Sequence, residues 1–256
     1  MPQENDKKTT PPAVNFLRKG FLLVFIKIYN VFPRIFRSKK RTFSSTPLVR
    51  EIEERAVHET DINSHLMTMF AEALEANPRT IVELGTRGGE STFVFQRVAS
   101  LTGAQMLCVD LNDCAEACPP GTFFVQGDDI AFAKRFKEWC VEKNFPSQID
   151  LLFIDTSHEL EHTKAEIDAY FPFLSDTATV IFHDTNMRFV YSRTDGTLGY
   201  GYCENIMRGV IQAIEEYLGV SLHEEGDFVD YVKGWLIRHR AVSNGLTVMK
   251  KLPVGR

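Results

Sequence analysis

The chain has 256 residues, 44% hydrophobic and 25% charged, with a formal net charge of −5. These totals fit a folded domain with a sizeable core, and the negative charge argues against a nucleic-acid binder. The charge is uneven, however: residues 1–50 hold eleven Lys/Arg and two Asp/Glu, whereas the remainder holds 18 basic and 32 acidic groups. A basic arm therefore precedes an acidic body. Five cysteines, Cys108, Cys114, Cys118, Cys140 and Cys203, have no zinc-ligand spacing and imply no disulfide framework. That set suits a reducing compartment, and a cytoplasmic location is expected.

Residues 1–13 are polar, contain Pro2, Pro11 and Pro12, and read as a disordered tail. In residues 14–41, Phe16, Leu17, Phe21, Val24, Phe25, Ile28 and Phe32 recur at helical spacing, with Lys19, Lys27, Arg34 and Arg37 on another face. Lys27 and Pro33 interrupt the apolar run, which falls short of the ~20 residues that a spanning helix needs. No small-residue cleavage site follows, as a signal peptide would require. The expectation is a basic amphipathic helical arm. It suits peripheral contact with an anionic membrane, or packing on the main domain or on a second subunit of a homo-oligomer.

Residues 42–59 read as a polar linker and residues 60–256 as the main domain. Leu66, Met69, Phe70, Ala73 and Leu74 predict a helix over His65–Ala76 with these side chains inward, stopped by Asn77-Pro78. Short apolar strands then alternate with helical patterns. Strand Thr80–Leu84 is followed by the turn Gly85–Gly89 and a helix over Ser91–Leu101. Strands Gln105–Leu111 and Thr122–Gln126 precede a helix over Ile130–Lys143. Strand Ile149–Asp155, helix Leu160–Phe171 and strand Thr179–His183 follow. A long connection, 187–204, carries Arg188, Tyr191, Arg193, Tyr200 and Tyr202 and reads as a lid or substrate wall. A helix over Asn205–Leu218 and a last strand, Gly245–Lys250, complete the pattern, with Asn244-Gly245 as a turn. The fold class is α/β: a doubly wound, mostly parallel Rossmann-like sheet with helices on both faces, plus the N-terminal arm.

Chemistry is expected at the carboxyl ends of these strands, where open α/β sheets bind ligands. The turn after the first strand contains Gly85, Gly88 and Gly89, which let a ligand approach the backbone beside a helix start. It is neither a GxGxxG fingerprint nor a phosphate-binding loop. The next strand ends in Asp110, about 20 residues on, where a ribose-binding carboxylate belongs. The third ends at Asp128, an acid suited to an amino group such as that of adenine. A wholly apolar fourth strand delivers Asp155, with His158 three residues on, and the fifth delivers His183 and Asp184. Two carboxylates on adjacent tips make an oxygen-rich place for a hard cation such as Mg2+, which accepts an incomplete protein cage. His162, one helical turn past His158, reads as a helix cap or a solvated side chain.

Glu83-Leu84-Gly85-Thr86-Arg87-Gly88-Gly89-Glu90-Ser91-Thr92 resembles motif I of class I S-adenosylmethionine-dependent methyltransferases. Over about residues 60–250 the chain is similar to the branch with cephalosporin hydroxylase-like proteins and metal-dependent sugar O-methyltransferases. The resemblance implies O-methylation of a small hydroxylated substrate, with S-adenosylmethionine and Mg2+ as cofactors. It implies that Glu83, Gly85, Thr86, Gly89 and Ser91 line the cofactor. Asp110 would meet the ribose, Asp128 the adenine region, and Asp155 would border the cofactor as well. It further implies Asp155 and Asp184 as metal ligands and His158 as general base. His183 stands where some relatives place an acidic ligand, and can be read as the third metal ligand or as a buried orienting group. Two rival readings remain open: an oxygenase in which Asp155, His158 and His183 imitate a facial triad, and a catalytically silent, membrane-associated binding module.

Overall fold

The structure, a computed structural model, describes residues 43–58, 60–187, 190–192, 198–200 and 208–252. The expected tail and arm at 1–41 lie outside the described residues, as do Arg188, Arg193, Tyr202 and Cys203. Among the described residues, no helix is long and apolar enough to cross a membrane.

An eight-stranded sheet forms the centre, in the order β3-β2-β1-β4-β5-β10-β9-β8. Strands β1 (Thr80–Leu84), β2 (Gln105–Asp110), β3 (Thr122–Gln126), β4 (Ile149–Ile154) and β5 (Leu174–His183) run parallel. Strands β8 (Phe228–Val232), β9 (Trp235–Arg240) and β10 (Leu246–Lys251) extend it antiparallel. Two more, β6 (Val190–Ser192) and β7 (Leu198–Tyr200), pair as a separate ribbon inside the connection read as a lid. The doubly wound, mostly parallel sheet expected from the sequence is therefore the architecture found.

Strand alternation sorts the core into two layers. Val82, Leu84, Leu107, Val109, Leu152, Ile154, Val180 and Phe182 face one side. There they meet α4 (Asp129–Ala133), α5 (Phe136–Lys143), α6 (Leu160–Tyr170) and α7 (Gly209–Leu218). Ile81, Met106, Cys108, Leu151, Phe153 and Ile181 face the other, under α1 (Pro47–Arg55), α2 (Leu66–Ala76) and α3 (Glu90–Thr102). A strand covered on both faces must be largely apolar, which is why β1 and β4 are mostly hydrophobic, with Glu83 and Asp150 as the charged exceptions.

Several expectations change. Helix α1 lies within the stretch read as linker: its Ile52 is buried in the core, and its Arg55 makes a two-pronged ion pair with Glu90 of α3 (2.8 and 3.0 Å). Leu74, expected inward on α2, is 39% exposed, while Ala73 beside it is buried. The helix expected over Ile130–Lys143 is two helices, because Arg135 leaves helical geometry (φ −110°, ψ 5°). The tail contributes three strands instead of one.

Register sets the functional edge. Leu84 pairs with Val109 and Ile154, Asp110 with Gln126, and Ile154 with Phe182. The residues just past these pairs share one rim. The start of antiparallel β10 joins it, since Leu246 pairs with His183.

Candidate active site

The rim begins at the turn after β1. Gly85 has φ +85°, and a side-chain carbon there would collide with the carbonyl oxygen of Asp155. Its N–H donates to Val109 (2.9 Å), and the Asp155 N–H donates to Leu84 (2.9 Å). The first and fourth strand tips are therefore in direct contact. Asp110 braces the same turn: Oδ2 accepts the N–H groups of Thr86 (2.8 Å) and Arg87 (3.1 Å), and Oδ1 that of Asn112 (2.8 Å). Burial alone would push its carboxyl up, but the donors from Arg87, Asn112 and Thr86 hold it below the usual range. The Thr86 hydroxyl is buried without a partner, which points to a ligand for that group. Gly89, at φ +76°, opens α3 and backs onto Ala117, whose carbonyl oxygen would lie 2.8 Å from an added Cβ.

Three residues read as cofactor contacts have protein partners. Glu83 is wholly buried and accepts from Ser91 Oγ (2.5 Å), Thr92 Oγ1 (2.6 Å) and Cys108 Sγ (3.0 Å). Glu83 and Ser91 therefore fasten β1 to α3 beneath the turn instead of facing the cleft. Strand parity is the reason, since Glu83 shares a face with Ile81 and both look toward α3. Asp128 is exposed and caps α4, with Oδ1 accepting from Ala131 N–H (2.6 Å).

The fourth and fifth tips converge. His158 Nε2 lies 3.2 Å from Asp155 Oδ1 and 2.9 Å from Asp184 Oδ2. His183 Nδ1 lies 3.3 Å from the same two oxygens. The closest-set donor atoms at these tips belong to Asp155, His158 and Asp184, while His183, read as a third metal ligand or a buried orienting group, packs against both carboxylates. His183 sits behind them, 1% exposed, with Nε2 unpartnered. His158 (φ +62°) and Asp184 (φ +55°) both adopt left-handed backbone, at about 1–3 kcal/mol each. Charge-assisted hydrogen bonds of similar size offset that strain.

Charge is concentrated here. Burial disfavours the Asp155 carboxylate, yet His183 and His158 bring it down to about 2, and the same imidazoles hold Asp184 below its ordinary range. Burial likewise works against a proton on His158, but Asp155 and Asp184 raise it to about 10. His183 is raised well above its ordinary value by the same carboxylates against its burial. Two carboxylates thus face two imidazole rings whose protonated forms they favour.

Sequence reasoning missed the supports. His65, beside α2, is buried and stands edge-on to His183 with ring centres 5.6 Å apart. Burial, then the charge of His183, lower it to about 4, so it is neutral and gives its Nε2–H to the Val242 carbonyl (2.9 Å). Asn186 N–H donates to Asn244 (2.5 Å) and Asn186 Nδ2 to Ala241 (2.8 Å), pinning the Asp184 turn to the start of β10. Gly209, the first residue of α7, packs so closely on the His158 carbonyl that an added Cβ would collide with it. A glycine opening an amphipathic helix was the available signal. His162, read as a cap or solvated side chain, instead faces Asp129 Oδ2 (3.3 Å) and Glu166 Oε1 (3.7 Å). Cys108, Cys114, Cys118 and Cys140 are free thiols.

Residues 82–185 match a family described as "Methyltransferase domain". The chain is similar in fold to the MycE methyltransferase from the mycinamycin biosynthetic pathway in complex with Mg and SAH. That likeness has TM-score 0.51 and 16% identity and covers 82% of this chain and 54% of that one. It is also similar to the O-methyltransferase from Bacillus cereus in complex with SAH, with TM-score 0.50, 12% identity and coverage of 86% and 97%. Among curated proteins, the uncharacterized protein R132 of Acanthamoeba polyphaga mimivirus is 23% identical over 130 residues, 48% of this chain and 59% of that protein. The chain thus spans little more than half the length of MycE and of the mimivirus relative.

Proposed function

We propose that the chain, whose residues 82–185 match a methyltransferase-domain family, transfers a methyl group from S-adenosylmethionine to a hydroxyl of a small molecule, with divalent-cation assistance. The support is contiguity: the Gly85 turn touches Asp155, Asp110 holds that turn, and His158 Nε2 lies within hydrogen-bond reach of both Asp155 and Asp184. The donors fit both groups. The unpartnered Thr86 hydroxyl and the glycine turn suit the methyl donor, with Asp110 at its ribose. Asp184 Oδ1 is buried without a partner and, with Asp155, offers the hard oxygens that Mg2+ takes.

S-adenosylmethionine supplies an already activated methyl group, and a divalent cation supplies positive charge for the acceptor oxygen. The chain's own work is alignment and proton removal. Alignment of two bound partners is worth roughly 7–11 kcal/mol in favourable cases. His158 Nε2 accepts the hydroxyl proton, but only as a neutral ring. While Asp155 and Asp184 are its partners it keeps its own proton. It becomes a proton acceptor once those carboxylates are engaged elsewhere. The metal and the base are in this way a single proposal. An oxygenase reading fits less well, since the close-set donors are two carboxylates and one imidazole instead of two imidazoles and one carboxylate.

The test is labelled-methyl transfer to a panel of hydroxylated acceptors, with Mg2+ and with a chelator. Transfer should require the cation, and His158→Ala should lose it while still binding S-adenosylmethionine. Equal rates in wild type and His158→Ala would remove this residue from the mechanism.

A further inference from the structure

A second cluster lies beneath the rim and shares no residue with the first. Asp129 opens α4, while His162 and Glu166 stand four residues apart on one face of α6. Tyr170, one further turn along, donates its hydroxyl to the Asp129 backbone carbonyl (2.8 Å) and fixes the distance between the two helices. His162 Nε2 lies 3.3 Å from Asp129 Oδ2 and 3.7 Å from Glu166 Oε1. Glu166 is completely buried and Asp129 is 7% exposed. Thr156 Oγ1 occupies Glu166 Oε1 (2.7 Å). Asp129 Oδ2 is aimed at the imidazole, and Glu166 Oε2, on a fully buried side chain, lacks a hydrogen-bond partner.

Two buried carboxylates facing one imidazole leave negative charge uncompensated, which a buried site does not tolerate without a proton or a cation. The structure assigns Asp129, His162 and Glu166 as a second cation site, for a divalent first-row transition ion of the Zn2+ type. Donor spacing supports this. Ligands about 2.0–2.1 Å from a tetrahedral ion stand roughly 3.3 Å from one another, close to the two spacings above. An imidazole among the donors selects for such an ion over Mg2+, which prefers an all-oxygen shell. Three protein ligands leave a fourth position, and the His162 side chain, 27% exposed, gives solvent and metal a way in. Through Thr156, the neighbour of Asp155, the bound ion would stiffen the base of the rim.

The competing state is a proton held on Glu166, which burial and the neighbouring Asp129 push well above the usual carboxylate range. Metal counting separates the two. The full chain, stripped with a chelator and equilibrated with micromolar Zn2+, should retain Zn2+. His162→Ala and Glu166→Gln should each bind one equivalent fewer, whereas Asp184→Asn should keep that equivalent. Glu166→Gln preserves side-chain volume and an acceptor for Thr156, so it serves if His162→Ala does not fold. A wild type that binds no Zn2+, or a folded His162→Ala or Glu166→Gln with an undiminished count, overturns the assignment.

Discussion

Glu83 is a wholly buried acid outside the two clusters. Burial raises it to about 7 against the donors from Ser91, Thr92 and Cys108. In the unfolded chain it titrates near 4.5. Below that pH both states hold the proton, and folding pays nothing for this group. Between about 4.5 and 7 the unfolded chain ionises first, so stability falls as pH rises, by at most about 3 kcal/mol. Glu83→Gln should flatten this part of the curve of stability against pH, measured by urea unfolding. Identical slopes in the two proteins would refute the assignment. Glu83 lies beneath the turn for a physical reason: a motif marks where a residue is in the chain, and strand parity decides which way it looks. Asp155 and Asp184 follow their strands' last paired residues, so parity no longer binds them, and the rim position was legible.

At the scale of elements, α7 supports the His158 segment. Its first residue, Gly209, abuts the His158 carbonyl, and Val210, Ile211 and Ile214 anchor the helix in the core. Gly209→Ala must move either the helix or the His158 segment, at about 1–3 kcal/mol. We expect a lower melting temperature and slower methyl transfer. A variant that matches wild type in both would show that this contact does not hold His158. The β8–β9 hairpin was a legible element left unread. Lys233 (φ +49°) and Gly234 (φ +85°) form a two-residue turn between the paired Val232 and Trp235, the geometry that suits a hairpin. Charged residues on the solvent side of both strands diluted their apolar alternation. The helix break at Arg135 had no such signal, since neither glycine nor proline marks it.

Across the whole molecule, five parallel strands bring residues from Gly85 to Asp184 to one edge, and an antiparallel extension closes the fifth strand's side. Alternation of short apolar runs with helical patterns was enough to read this. The pairings through His65, Asn186 and Asn244 were not readable, because they join positions up to about 180 residues apart and depend on backbone contacts. The account rests on the rim as a cofactor site. Calorimetry of the full chain with S-adenosylmethionine, in chelator and in Mg2+, tests it most directly. One molecule should bind per chain in either condition, because the turn and Asp110 hold it, and Asp110→Asn should weaken it at least about tenfold, or 1.4 kcal/mol. Absence of binding to the wild type, or full affinity in Asp110→Asn, would contradict the account.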